Sequence, residues 1–109
     1  MNVEQIREHA LSLPATEECF PFGEDTMVYK AYGKIYLLVS LSDIPLQFNV
    51  KCDPELAIEL RMSHACVQPG YHMNKKHWNT VIVDNTLPDK DLLGFIDHSY
   101  SLVAKKKKK

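Results

Sequence analysis

Between Leu60 and Val83 the chain carries no aspartate or glutamate, yet this stretch holds Arg61, Lys75 and Lys76 together with His64, His72 and His77. Aromatic Tyr71 and Trp78 are interleaved with these groups, and Asn74, Asn79 and Thr80 add neutral hydrogen-bonding side chains. Ammonium and guanidinium groups hold phosphate oxygens by charge-assisted hydrogen bonds, while rings and amides beside them suit stacking or groove contacts. The mixture therefore fits a nucleic-acid backbone. A plainer account makes Lys75 and Lys76 a solvated loop tip, Asn74 a turn residue and Trp78 an inward anchor of its strand. At Trp78 that plainer account is the preferred one.

Other chemistry finds less support in the spacing. His64 and Cys66, with His72 and His77 beyond, are possible metal ligands, but their separations match no usual structural zinc pattern. The same His64 and Cys66 lack an evident orienting group and oxyanion donors, so no catalytic residue, cofactor or metal is expected. Cys19, Cys52 and Cys66 are odd in number and irregularly spaced, as reduced thiols are. Glu4, Glu8, Glu17, Glu18, Glu24 and Asp25 gather before Thr26 against Arg7 alone. They form either a docking or cation-binding face or a set of ordinary solvated carboxylates.

These groups must be placed by elements whose signals are local. Asn2 with Gln5 three residues on resembles a capping box, and Val3, Ile6, Ala10 and Leu13 follow at helical spacing until Pro14. From Thr26 to Lys51 the period drops to two. Met27, Tyr29 and Ala31 alternate with Val28, Lys30 and Tyr32, while Ile35, Leu37, Val39 and Leu41 are expected to share one side. Gly33-Lys34 between these runs predicts a tight hairpin turn, and Leu46, Phe48 and Val50 predict a third strand. Asp53-Pro54-Glu55 then starts a helix with a cap, a first-turn proline and a carboxylate at the positive end of the dipole. A short extended piece at Val67 to Pro69, a loop from Gly70 to Lys76 and a strand over His77 to Asp84 follow. Thr86, Pro88 and Asp89 open a last helix with Leu92, Ile96, Tyr100 and Val103 on one stripe. The expected fold is α+β, a two-layer sandwich with helices packed on a mainly antiparallel sheet, in the order α-β-β-β-α-β-β-α.

A chain of 109 residues, 45% hydrophobic and 25% charged, is ordinary for one domain, expected over residues 1–104. The net charge of −1 includes five terminal lysines, and without them eight cations face 14 carboxylates, a net charge of −6. An acidic body does not coat nucleic acid by bulk attraction, so anion binding must rest on a local patch. Lys105 to Lys109 repel one another and are expected to be disordered. No apolar run is long enough to span a membrane and no secretory pattern opens the chain, so a cytoplasmic monomer is expected.

The runs Lys51-Cys52-Asp53-Pro54-Glu55, Leu60-Arg61, Val67 through Val81 with its Pro-Gly-Tyr-His-Met-Asn-Lys-Lys-His-Trp-Asn-Thr core, and Ser99-Tyr100-Ser101-Leu102-Val103 resemble the MmcQ/YjbR family of small bacterial proteins. The resemblance implies a double-wing, CyaY-like fold and a DNA-binding role, and the lack of recognisable catalytic residues adds the expectation of no enzymatic activity. Its wings would be the Gly33-Lys34 hairpin and the Gly70 to Lys76 loop. The family's characteristic Lys51, Arg61, Asn74, Lys75, His77 and Trp78 are all present, and together with Tyr71, His72 and Lys76 of the basic aromatic stretch they are the expected nucleic-acid contacts. The alternatives are a protein-interaction or small-ligand module using the same loop and groove, or weak metal binding by the acidic N-terminal face.

Overall fold

The computed structural model describes residues 1–70 and 73–107, with side chains through residue 104. Nine elements follow in order: α1 (Val3–Ser12), β1 (Thr16–Cys19), β2 (Thr26–Ala31), β3 (Lys34–Ser40), β4 (Gln47–Lys51), α2 (Pro54–Ser63), β5 (Val67–Pro69), β6 (Trp78–Ile82) and α3 (Asp89–Lys107). The six strands form one antiparallel sheet in the order β1-β2-β3-β4-β6-β5. The α+β class is as expected, with one strand more than the sequence signals.

Local chemistry explains where the elements begin. Asn2 Oδ1 accepts from the Gln5 amide and the Asn2 amide donates to Gln5 Oε1, both at 2.9 Å, so the expected capping box is formed. Asp53 Oδ1 accepts from the Glu55 amide at 3.1 Å and opens α2. The hairpin turn sits one residue earlier than expected: Ala31 pairs with Lys34, and Tyr32 and Gly33 occupy the turn at φ +55° and +80°. Both central residues of this kind of two-residue turn need positive φ, which glycine adopts without a Cβ penalty.

All three helices cover one face of the sheet. Ile6 and Ala10 of α1 and Leu92, Ile96 and Val103 of α3 pack on Met27, Tyr29, Leu37, Val39, Phe48, Val50 and Val81. Ser99 ties α3 to two strands, accepting from the Lys51 amide at 2.8 Å and donating to the Tyr36 carbonyl at 2.5 Å. The other face bears a smaller cluster of Val28, Leu38 and Trp78, with Cys19, Ile35 and Met73 against it. The expected alternation breaks where the β2–β3 register shifts between Tyr29 and Lys30. That bulge sets Tyr36 beside Leu37 on the helix side and sends Ile35 to the opposite face.

Strand β1 is the one whose sequence, Thr-Glu-Glu-Cys, gave no apolar alternation. Its inward residue is a carboxylate. Glu18 Oε2 accepts from Arg7 Nε at 2.9 Å and from the Tyr29 hydroxyl at 2.7 Å, which compensates the charge. Burial alone would raise the pKa of Glu18, but these hydrogen bonds outweigh it and hold the group below its ordinary value. Helix α3 runs to Lys107, into the stretch expected to be disordered. Lysine is a good helix former, and cations favour a helix C-terminus.

Candidate nucleic-acid interface

Strand β5 returns to β6 through a loop from Gly70 to His77. At its root, Gly70 donates its amide to the Trp78 carbonyl at 2.9 Å. A Cβ on Gly70 would lie 2.8 Å from the Trp78 Cβ and 3.0 Å from the Trp78 carbonyl oxygen, so the two strands close here only around glycine. At the tip, Asn74 Oδ1 accepts from the Lys76 amide at 2.9 Å, an Asx turn, and the Asn74 carbonyl accepts from the His77 amide at 3.2 Å. The His77 carbonyl in turn accepts from the Cys52 amide at 2.8 Å, which fastens the loop to the end of β4. Tyr71 and His72 lie outside the described residues.

Arg61 on α2 works inside the chain. Its Nε donates to Asn79 Oδ1 at 2.7 Å, and its Nη2 donates to the Lys75 carbonyl and, at 3.2 Å, to the Trp78 carbonyl. The guanidinium is half-buried and engaged on loop backbone, so it shapes the loop rather than presenting a fork to a ligand. Trp78 is 8% exposed and belongs to the cluster on the helix-free face, as the inward-anchor account holds; it offers no ring for stacking. Lys51 pairs in register with Trp78, and its ammonium lies 5.9 Å from the indole centroid.

Asn74, Lys75, Lys76 and His77 are exposed. Lys75 Nζ donates to the Gly70 carbonyl at 3.3 Å, a contact that steadies the ammonium without neutralising it. Among the described residues, neither Lys75 nor Lys76 forms an ion pair with a carboxylate. The register brings further cations to the same end of the sheet. Lys30 pairs with Ile35 and Ala31 with Lys34 beside the hairpin turn, while Leu37 pairs with Val50 and Lys51 with Trp78. Lys34 therefore stands about two strand spacings, roughly 10 Å, from the β6 end that carries the loop. Lys30 faces Glu17 across the β1–β2 pair, which offsets it in part. The sequence could not show this grouping, because it depends on β4 and β6 being neighbours.

A groove of about 440 Å³ crosses the helix-free face further along the strands. Leu38, Phe22 and Met73 line it together with polar Ser40, Gln47, Asn49 and Thr80. Thr80 Oγ1 donates to Asn49 Oδ1 at 2.5 Å. The remaining sequence candidates are scattered or shielded. Cys66 is buried, and burial pushes the Cys52 thiol up to about 11, the opposite of an activated nucleophile. Among the described residues no group of histidine, cysteine and carboxylate side chains could hold a metal ion. No described helix is long and apolar enough to cross a membrane.

A six-stranded antiparallel sheet with three helices on one face and a clamped loop at one end defines a class of small α+β domain with solved examples. The crystal structure of a Deinococcus radiodurans protein matches with a TM-score of 0.91 at 40% identity, over 97% of this chain and 80% of that one. That of a Pseudomonas syringae protein matches with a TM-score of 0.80 at 30% identity, over 94% and 98%. The chain belongs to the YjbR family, also called MmcQ/YjbR, whose model matches residues 11–102. The uncharacterised protein YbdF of Escherichia coli O157:H7 is 38% identical over 102 residues, covering 93% of this chain and 83% of the relative. The uncharacterised protein YjbR of Escherichia coli K12 is 29% identical over 100 residues, covering 92% and 85%.

Proposed function

We propose that the protein binds double-stranded DNA without catalysing a reaction, meeting phosphates with Lys75 and Lys76 at the loop tip and with Lys34 and Lys51 along the same sheet end. The observation that carries this reading is the pair of exposed loop lysines with no described carboxylate partner, on a body that is otherwise acidic. Asn74 and His77 flank the lysines and supply hydrogen-bonding groups beside the phosphates. Arg61 and Trp78 act as positioning residues, one holding the loop backbone and one anchoring the strand that follows it. The buried indole is withdrawn from stacking, so the loop's contribution rests on charge and hydrogen bonds to the backbone of the nucleic acid.

About four neutralised phosphates give a salt slope of about −3.6, so raising salt from about 50 to 200 mM weakens binding by about a hundredfold. Fluorescence anisotropy of labelled duplex measures this on a chain ending at Ala104, because an adjacent lysine run binds any polyanion by itself. Lys75→Ala/Lys76→Ala in the same background is expected to remove most of the binding and flatten the slope. Salt-insensitive binding, or equal binding by the variant, overturns the reading.

A second reading rests on the polar groove of the helix-free face: a small polar ligand or a protein partner held by Ser40, Gln47, Asn49 and Thr80. A partner retained by the chain after nuclease digestion, and lost with Asn49→Leu, would favour it over DNA.

A further inference from the structure

A second cavity, of about 220 Å³, lies on the helix side of the sheet where α2 and α3 leave a gap. Its walls are Val50, Leu56, Leu60, Val67, Val81 and Phe95. An apolar cavity of about 150 Å³ holds benzene, so this one has room for a ring with a short substituent.

One feature of this cavity is unexplained by folding alone, and a second marks its mouth. Asn79 lines it and is only 1% exposed. Its Oδ1 is held by Arg61 at 2.7 Å, yet its Nδ2 is buried with no hydrogen-bond partner, the one such side-chain atom among the described residues. Buried amide donors are almost always satisfied, and an orphan of this kind calls for an acceptor. The second feature is Gly94, inside α3 and also lining the cavity. Glycine is unfavourable within a helix, and here no positive φ or close approach demands it: a Cβ would meet nothing within 4 Å. Gly94 is exposed at the cavity mouth, so a longer side chain there would reach over the opening.

The geometry points to a binding site for a small apolar carboxylate of about benzoate size, its ring against the aliphatic walls and its carboxylate accepting from Asn79 Nδ2. Arg61 behind Asn79 favours an anionic acceptor over a neutral one, because its charge polarises the amide it holds. His98, also lining the cavity, receives the Asp53 amide at Nε2 at 3.3 Å. The site is separate from the loop tip and stands whether or not that tip binds DNA.

An amide-resolved NMR titration of the full chain with sodium benzoate tests the proposal, with toluene and benzylamine as probes of similar size lacking the acceptor. Benzoate is expected to saturate with a Kd of about a millimolar and to move the Asn79 side-chain amide together with Leu60, Val67 and Phe95. Toluene and benzylamine are expected to leave the Asn79 amide in place. Gly94→Leu reaches over the opening and should abolish the saturable shifts, while Gly94→Ala, which matches the leucine variant's helix propensity with little added bulk, retains them. A thermal melt confirms that both variants fold. Shifts confined to lysine resonances, equal binding by Gly94→Leu, or an Asn79 amide unmoved by benzoate each overturn the proposal.

Discussion

Arg61→Met separates two roles that charge alone would confuse, since methionine keeps the length of the stem and removes the donors. The three acceptors that lose the guanidinium do not suffer equally. The Trp78 carbonyl still receives the Gly70 amide at 2.9 Å, and the Lys75 carbonyl sits in an exposed loop where water replaces the lost donor. Only Asn79 Oδ1 is stranded, in a side chain 1% exposed whose Nδ2 is already unpartnered. A hydrogen bond from a charged donor contributes about 1.5–3 kcal/mol, and the two backbone contacts add a fraction of that, so a loss of about 2–4 kcal/mol is expected. Against a domain stability of about 5–15 kcal/mol this is large, and the melting temperature should fall by roughly 10–20 °C. Urea unfolding followed by the single tryptophan, Trp78 at the end of the clamp, provides the assay. Lys75→Ala/Lys76→Ala should stay within about 0.5 kcal/mol of the parent. An Arg61→Met protein of unchanged stability would show that the clamp is not a structural device and return Arg61 to the list of anion ligands.

Glu18→Gln should destabilise the fold at neutral pH and flatten its acid limb. The carboxylate's folded pKa is held below the usual 4.5, so its contribution is complete above that value and is lost as pH falls through the folded pKa; acid titration of parent and variant by circular dichroism tests the difference. Gly70→Ala should cost more than about 2 kcal/mol, because the added carbon meets strand backbone, whereas Gly94→Ala should stabilise by about 1 kcal/mol; paired denaturation curves compare them. Asn2→Ala removes a complete capping box and should cost about 1 kcal/mol, read from the thermal midpoint.

What the sequence disclosed was local. The Asn2 and Asp53 caps, the alternation through Phe48 and Val50, and the α3 stripe all declare themselves within a few residues, and each forms as expected. What it concealed depends on partners far along the chain. Strand β1 carries no apolar alternation to signal it, because Glu18 turns inward, which Arg7 and Tyr29 make tolerable. Ile35 lies on the face opposite to the one its spacing predicts, because a bulge changes the period without changing composition. Arg61 stood among the anion ligands on charge alone, since nothing in the spacing says that its guanidinium reaches across 18 residues to Asn79. A faint signal did exist: an asparagine alternating with Val81 on a buried face needs a partner. The loop lysines, by contrast, were legible from the missing carboxylates around them.

The outermost strands bear on how any partner can arrive. At one border of the sheet runs Thr-Glu-Glu-Cys, two adjacent acids on a four-residue strand; at the other, three residues ending in a proline that has no amide hydrogen to give. Both margins are poor templates for docking another chain's backbone, which guards against ribbon-like self-association. A peptide laid along either border would find few of the backbone groups it needs, so extension of the sheet is disfavoured at both margins.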